Sequence, residues 1–202
     1  MRHKYGNSPD VVGSIQLNPS ELCYCQYLPI FMFGNLRIPR NFEWIKPLYN
    51  LVEHNQDDYV YITAKHMWVT GDSANREGWH IDGFMTEDIN YIWYDSHPTQ
   101  FCEMPFDLIE DHEQSIEQMS WQALPSMFKE YPVNTLLKLD NSVVHRVNPN
   151  PFNGLRTFVK ISISKERYNL KGNSHNYLFD YCWDMKSRKK TRNHPVGGSN
   201  CL

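Results

Sequence analysis

The sequence predicts a mainly β fold with flanking helices, of the sandwich or barrel type. Short segments rich in β-branched and aromatic residues recur between residues 59 and 164, with turn residues between them. Hydrophobic residues make up 41% of the chain and aromatic residues 14%, which indicates a folded protein with a large core. Its 202 residues suit one domain, 1–202, and are too few for two. Short strands at this spacing are typical of a sandwich or barrel, of which the jelly roll is one form.

The N-terminal part contains one predicted helix. Residues 1–20 are polar, and we expect them to lack regular structure. Hydrophobic residues recur at helical spacing over 40–55, and Asn41 is a candidate N-cap for this helix. Pro47 lies inside the segment, where a proline is unfavourable after the first helical turn.

From residue 59 onward we expect a β core, 59–164, with a helical insertion at about 104–133. Four strands are predicted first, over 59–70, 79–84, 89–95 and 98–104. A helix over 111–124 follows, with an aspartate at its N-cap. Segment 134–164 contains three more strands, separated by turn residues at 140–142 and 148–154. The basic and then Gly/Ser-rich tail, 186–202, is predicted to be disordered.

Charge and cysteine content argue against several classes of protein. The formal net charge is −3, which favours neither a nucleic acid nor a membrane surface as partner, so nucleic acid is not the favoured partner. The sequence has no apolar signal segment and no run of about 18 apolar residues, so no membrane span is expected. Five cysteines without framework spacing indicate reduced thiols and a cytoplasmic location.

A pair of potential metal ligands stands in the stretch GWHIDGF. On a strand, His80 and Asp82 project to the same side, because alternate residues share a face. His145 lies on a later predicted strand and is the candidate third ligand. Two histidines and one carboxylate form the facial triad of non-haem Fe(II) oxygenases, which leaves three positions open. The main competitor is a second same-face pair, Asp95 and His97.

The strand that follows His145 carries charge on one face. Thr157, Val159, Ile161 and Ile163 alternate with Arg156, Phe158 and Lys160. A cation on the inner face of a barrel strand is costly unless an anion meets it. The carboxylate of a bound oxo acid is such an anion, and a guanidinium binds carboxylates through two parallel hydrogen bonds.

The pattern His80-x-Asp82, His145 and Arg156 resembles the Fe(II)/2-oxoglutarate-dependent oxygenase superfamily over about residues 59–164. The resemblance implies a double-stranded β-helix, iron held by those two histidines and the aspartate, and Arg156 on the far carboxylate of 2-oxoglutarate. It also implies consumption of O2 and release of succinate and CO2.

Further assignments follow from the same resemblance. In the taurine dioxygenase branch a threonine assists the arginine and a second basic residue follows four positions later. Thr99 and Lys160 are the matches here. The Arg-x-Ser pattern of another branch is absent, since Phe158 stands at that position. Strand alternation, rather than the resemblance, suggests that one face of segment 89–95 is directed at the iron, which makes either Tyr94 or Asn90 a candidate hydrogen-bond partner of the cosubstrate. An aspartate at position 82 favours hydroxylation or a related oxidation over halogenation.

The predicted function is therefore that of a dioxygenase acting on an unidentified substrate, either a small molecule, a protein side chain or a nucleobase. Two alternatives remain open at the level of sequence. One is a cupin-like metalloenzyme that does not use 2-oxoglutarate, and the other is a metal-free jelly-roll binding module. Loop 70–78 and insertion 104–133 are candidate lids over the site.

Overall fold

Two antiparallel sheets form the protein in a computed structural model, which describes residues 3–71 and 78–188. The larger sheet has seven strands in the order β1-β8-β5-β10-β4-β2-β3, and the smaller has three in the order β7-β6-β9. The strands are β1 (Asp10–Ser14), β2 (Cys23–Met32), β3 (Asn35–Leu36), β4 (Tyr59–Gly71), β5 (Ile89–Tyr94), β6 (Gln100–Cys102), β7 (Phe128–Glu130), β8 (Thr135–Leu139), β9 (His145–Arg146) and β10 (Phe152–Ser164). The helices are a 3-10 helix (Arg40–Ile45), α1 (Lys46–Tyr49), α2 (His112–Gln122) and a second 3-10 helix (Pro125–Met127).

The strand connections are those of a double-stranded β-helix. From β4 to β10 the chain passes back and forth between the two sheets, and β6 and β7 are consecutive members of the smaller one. An isolated antiparallel bridge between His80 and His145 gives the smaller sheet a fourth position beside β9. The smaller sheet then has four positions, namely β7, β6, β9 and the bridge at His80. They match the four central strands of the larger sheet, β8, β5, β10 and β4. The predicted mainly β jelly roll is confirmed.

The long strand β10 separates the core from the site. Val159, Ile161 and Ile163 belong to the main hydrophobic cluster, which also contains Ile45 and Leu48 from the helical segment. Full burial of each such side chain contributes roughly 1.5–3 kcal/mol. Because strand residues alternate between faces, the side chains in between point away from this core, toward the smaller sheet.

Three sequence predictions are wrong in their local structure. Segment 40–55 is not one helix, because the 3-10 helix gives way to the single turn α1 at Pro47, which occupies a first-turn position. Asn41 is not the N-cap, since the residue at that position is Pro39 and no side chain caps the helix. Segment 79–84 is not a strand, since His80 forms only a bridge and residues 82–85 form a turn.

The N-terminal region is more ordered than predicted. Strand β1 lies within residues 1–20 and pairs with β8, and β2 pairs with β4. These two strands extend the larger sheet on both sides of the jelly-roll core.

The insertion between β6 and β8 contains helix α2. Asp111 is its N-cap, and the carboxylate accepts hydrogen bonds from the main-chain N–H groups of Glu113 and Gln114. The insertion also contains β7, which the sequence did not predict.

Other predictions fall partly outside the described ranges. The lid predicted for loop 70–78 and the tail predicted for 186–202 fall largely on residues 72–77 and 189–202, which lie outside the described residues. In the part of the chain that is described, no helix is long and apolar enough to cross a membrane. Cys23, Cys25, Cys102 and Cys182 are free thiols, and Cys201 lies outside the described ranges.

Candidate metal centre

His80 and His145 are held side by side by their own main chains. The N–H of each donates to the carbonyl of the other, at 2.9 and 3.0 Å, and the ring centroids lie 4.5 Å apart. The Nδ1 atom of His80 lies 3.0 Å from the carbonyl oxygen of Gly78, and that of His145 lies 3.2 Å from the carbonyl oxygen of Val143. An Nδ1–H that donates to a carbonyl leaves Nε2 with a lone pair, which is the form of imidazole that binds metals.

Asp82 reaches the two histidines from a turn rather than from a strand. Gly83, the next residue, has φ of +72°, a conformation that favours glycine and lets the chain reverse immediately after the carboxylate. Ile81 and Phe84 are buried in the cluster beneath the smaller sheet, and they anchor the turn on both sides. The carboxylate is therefore fixed by packing and by turn geometry.

The three side chains bring their ligand atoms within 4.8 Å of one another. Within residues 3–71 and 78–188, this is the group of His, Cys, Asp or Glu side chains that is close enough to hold a metal ion. Two imidazoles oriented through Nδ1 and one carboxylate fit the facial donor set expected for Fe(II). The donor chemistry of the residues therefore fits the predicted ion.

The competing pair, Asp95 and His97, does not converge in this way. The Asp95 carboxylate accepts hydrogen bonds from the main chain of Thr157 and from the hydroxyl of Ser96, both at 2.8 Å. Nε2 of His97 lies 3.2 Å from the carbonyl oxygen of Asn148. Both side chains are thus engaged in holding loops against β10.

Lys160 lies against the predicted metal ligand Asp82. Its ammonium donates to Asp82 Oδ2 at 3.0 Å and to the hydroxyl of Tyr27 at 3.0 Å. Burial opposes ionisation of the carboxyl, but the charge of Lys160 holds the pKa of Asp82 well below its usual range. Burial likewise opposes the charge on Lys160, yet the carboxylate of Asp82 raises the pKa of the lysine above its ordinary value. The pair is therefore ionised at neutral pH.

Arg156 projects from β10 into the same cavity. Its side chain is buried, with Nε 3.2 Å from the carbonyl oxygen of Ser96 and Nη2 3.1 Å from that of His97. The guanidinium also lies over the ring of Phe158, 5.3 Å from its centroid. Burial lowers the pKa of Arg156 to about 10, so the charge persists at neutral pH. The two carbonyl contacts fix the plane of the guanidinium.

One cavity of about 390 Å³ joins these groups, and its walls include His80, Asp82, His145, Arg156 and Lys160. This volume is at the small end of the range of about 300–1,000 Å³ that is typical of ligand pockets. The sequence motif therefore corresponds to one continuous space.

The remaining predicted contacts differ in position. Thr99 is buried and lines the cavity. Tyr94 is fully buried, and its hydroxyl donates to the carbonyl oxygen of Tyr131 at 3.2 Å, away from the cavity-lining residues. The side-chain oxygen of Asn90 accepts from the hydroxyl of Ser162 at 2.6 Å. Tyr94 and Asn90 are therefore not among the residues that line the cavity.

Several cavity residues were not predicted. Tyr27 comes from β2, a strand that the sequence did not reveal, and Arg188 follows the jelly-roll core by more than twenty residues. Lys65 lies on β4, opposite Phe158 of β10. Alternation along β4 offered a signal for Lys65, because His66, its neighbour, faces the opposite layer and contacts Thr157.

No protein-family model and no curated protein matches this sequence. Among solved structures, the chain is similar to EvdO2 from Micromonospora carbonacea var. aurantiaca, a structure complexed with 2-oxoglutarate. The likeness has 14% sequence identity and a TM-score of 0.36, and it covers 62% of this chain. The chain spans 60% of the length of that structure. The description of the centre therefore depends on the chain's own topology and geometry.

Proposed function

We propose that the protein is an Fe(II)- and 2-oxoglutarate-dependent dioxygenase that hydroxylates or otherwise oxidises an organic substrate and releases succinate and CO2. The observation that supports this most strongly is the convergence of His80, Asp82 and His145 within 4.8 Å on the wall of a cavity that Arg156 also lines. A carboxylate-binding arginine beside an incomplete metal donor set suits an oxo acid that must contact both.

In this proposal His80, Asp82 and His145 hold Fe(II) and leave three coordination positions for 2-oxoglutarate and O2. The bound ion supplies the activation of O2 that the side chains of the protein cannot perform. Arg156 binds the far carboxylate of 2-oxoglutarate, and its contacts with two main-chain carbonyls orient the guanidinium in advance. Thr99 lines the same cavity, and in this proposal its hydroxyl assists in binding that carboxylate.

Lys160 has a different role from the cosubstrate contact that the sequence suggested. Because its ammonium lies 3.0 Å from Asp82 Oδ2, we assign it to orienting and partly neutralising the ligand carboxylate. Tyr27 holds the ammonium from the other side. With both partners the buried charge of Lys160 is satisfied, so the side chain keeps Asp82 in one rotamer.

The first experiment separates metal binding from cosubstrate binding. Protein purified without oxygen is reconstituted with Fe(II), and its metal content and its affinity for 2-oxoglutarate are measured by equilibrium dialysis. We expect about one iron per chain in the wild type and loss of iron in His145→Ala. The matched control is His175→Ala, whose ring stacks on Tyr181 and is not part of the ligand group.

The second experiment concerns the arginine. Arg156→Met should retain iron and lose affinity for 2-oxoglutarate by about 10- to 100-fold, since a hydrogen bond to a charged group contributes roughly 1.5–3 kcal/mol. Succinate release is then followed after oxygen is admitted. Iron binding without any consumption of 2-oxoglutarate would favour the cupin-like alternative, and a wild type without metal would favour a binding module.

A further inference from the structure

A series of tyrosine and tryptophan rings leads from the cavity toward the protein surface. Tyr27 lines the cavity, and its ring centroid lies 5.1 Å from that of Tyr168. The rings of Tyr168 and Tyr61 are stacked, with centroids 4.2 Å apart and an angle of 3° between their planes. The partly exposed Trp183 follows at 6.3 Å from Tyr61, and Tyr181 lies 4.6 Å from Trp183. These five rings form an aromatic path whose members come from distant parts of the sequence.

The inner end of the aromatic path is connected to the metal centre by two hydrogen bonds. The ammonium of Lys160 donates to the hydroxyl of Tyr27 and to Asp82 Oδ2, both at 3.0 Å. Tyr27 has φ of +46°, which is costly for a residue other than glycine, and it lies where the pairing of β2 with β4 shifts register. An irregularity of this kind re-aims a side chain, here toward the cavity, and such strain is concentrated at functional sites.

The buried members of the path are phenols, although a core needs only their rings. Tyr27, Tyr61 and Tyr168 are 6%, 0% and 3% exposed. A buried hydroxyl is unfavourable without a hydrogen-bond partner, and phenylalanine would fill the same space without that cost. Unlike the ring of phenylalanine, phenol and indole rings give up one electron to a strong oxidant. The composition of the path therefore suits electron transfer as well as packing.

Asp88 supplies the proton acceptor that oxidation of a buried phenol requires. The hydroxyl of Tyr168 donates to Asp88 Oδ2 at 2.6 Å, and both side chains are buried. Burial, and after it the charge of Asp88, raises the pKa of Tyr168 well above its ordinary value, so the phenol is protonated at neutral pH. A phenol that loses an electron becomes a strong acid, and its proton then passes along the existing hydrogen bond. Tyr61 instead donates to the main-chain carbonyl oxygen of Glu166, a far weaker base, so Tyr168 is the member that loses an electron most readily.

We propose that the aromatic path carries electrons from the surface to the metal centre when 2-oxoglutarate is consumed without a substrate and the oxidising equivalent stays at the iron. The proposal rests on the proposed function. Tyr27 passes one electron to the centre and recovers it from Tyr168, whose O–H proton moves to Asp88. An electron from a small reductant such as ascorbate then enters at Trp183 and passes through Tyr61 to the Tyr168 radical, and the proton returns to the phenol. One electron from the reductant thus reduces the centre, which protects the side chains of the cavity from oxidation.

Freeze-quench EPR spectroscopy tests the path in full-length protein that is loaded with Fe(II) and 2-oxoglutarate and exposed to O2 without a substrate. We expect a tyrosyl radical in the wild type and a signal at least tenfold smaller in Tyr168→Phe. Asp88→Asn keeps the packed ring of Tyr168 but removes the base, so its signal should also fall. Tyr91→Phe is the control and should keep the signal, because this buried tyrosine belongs to the main hydrophobic cluster and not to the path. Succinate is measured in every sample.

Mass spectrometry of the same samples tests the protection. Ascorbate should lower the oxidation of cavity-lining side chains severalfold in the wild type and have little effect in Tyr168→Phe. Equal protection by ascorbate in both proteins would overturn the proposal, because the reductant would then act without the path. Succinate release without a tyrosyl radical, or an undiminished radical in Tyr168→Phe, would overturn it as well. Absence of succinate release would instead overturn the proposed function, and the proposal with it, so one sample distinguishes the two failures.

Discussion

Removal of the Asp82 carboxylate should leave the buried ammonium of Lys160 without its counter-ion. Asp82 and Lys160 are 3.0 Å apart, with side chains only 13% and 11% exposed. At an effective dielectric constant of about 20, charges at this distance attract by about 5 kcal/mol, which desolvation largely offsets in the intact pair. Loss of one partner of a buried pair costs about 3–5 kcal/mol. Because Tyr27 still accepts from the ammonium, we expect Asp82→Ala to lower the free energy of unfolding of the metal-free protein by about 3 kcal/mol.

The assay is urea unfolding in the presence of a chelator, followed by the fluorescence of the six tryptophans. Adding Lys160→Met to Asp82→Ala removes the ammonium that lost its counter-ion. The free energy of unfolding of the double variant should therefore exceed that of Asp82→Ala by about 2 kcal/mol. Asp57→Ala is the control, because the Lys165–Asp57 pair is 53% and 76% exposed and solvent screens its attraction, so the urea midpoint should change little. Strictly additive effects of the two single substitutions would refute this account of the pair.

Three further predictions concern single positions. Because the pKa of Lys65 is about 8 in the folded chain and 10.5 ordinarily, the unfolded chain binds more protons between these values and stability rises with pH there. Lys65→Met should thus raise the free energy of unfolding at pH 7 by up to about 3 kcal/mol. In urea unfolding this gain should shrink as the pH approaches 10.5. No gain at pH 7 would contradict the lowered pKa of Lys65. Gly172→Ala should lower the free energy of unfolding by roughly 1–2 kcal/mol, because the residue has a positive φ. Gly83→Ala should lower it further, because a methyl group there would also lie 3.0 Å from the Thr86 hydroxyl. Equal midpoints of the two variants in thermal unfolding would argue against this. Asp111→Ala should cost about 1 kcal/mol through loss of the α2 N-cap, and an unchanged urea midpoint would show that the cap is not needed.

Alternation along a strand accounts for what was predicted correctly. The sequence of β10 places Val159 and Ile161 on one face and Arg156 and Lys160 on the other, and the structure has the first pair in the core and the second in the cavity. This property is local, because the two-residue period of a strand follows from backbone geometry alone.

Long-range packing decided the features that the sequence did not reveal. Asp82 was expected to reach the histidines by strand alternation, and it reaches them from a turn that buried neighbours and Gly83 hold in place. Strand β2 has no clear two-residue alternation, since its last six residues, 27–32, are all buried, and the pairing with β4 defines it. Its position brings Tyr27 to the ammonium of Lys160.

By itself, the sequence determined the fold class and predicted which side chains could hold a metal and a carboxylate, because composition, strand period and residue chemistry are properties of short segments. The tertiary structure decided which of these side chains meet. It paired Lys160 with Asp82, turned the hydroxyl of Tyr94 toward Tyr131, and brought Lys65 to the cavity wall. Such neighbours are set by the order of strands in the two sheets, in which residues far apart in the chain lie side by side.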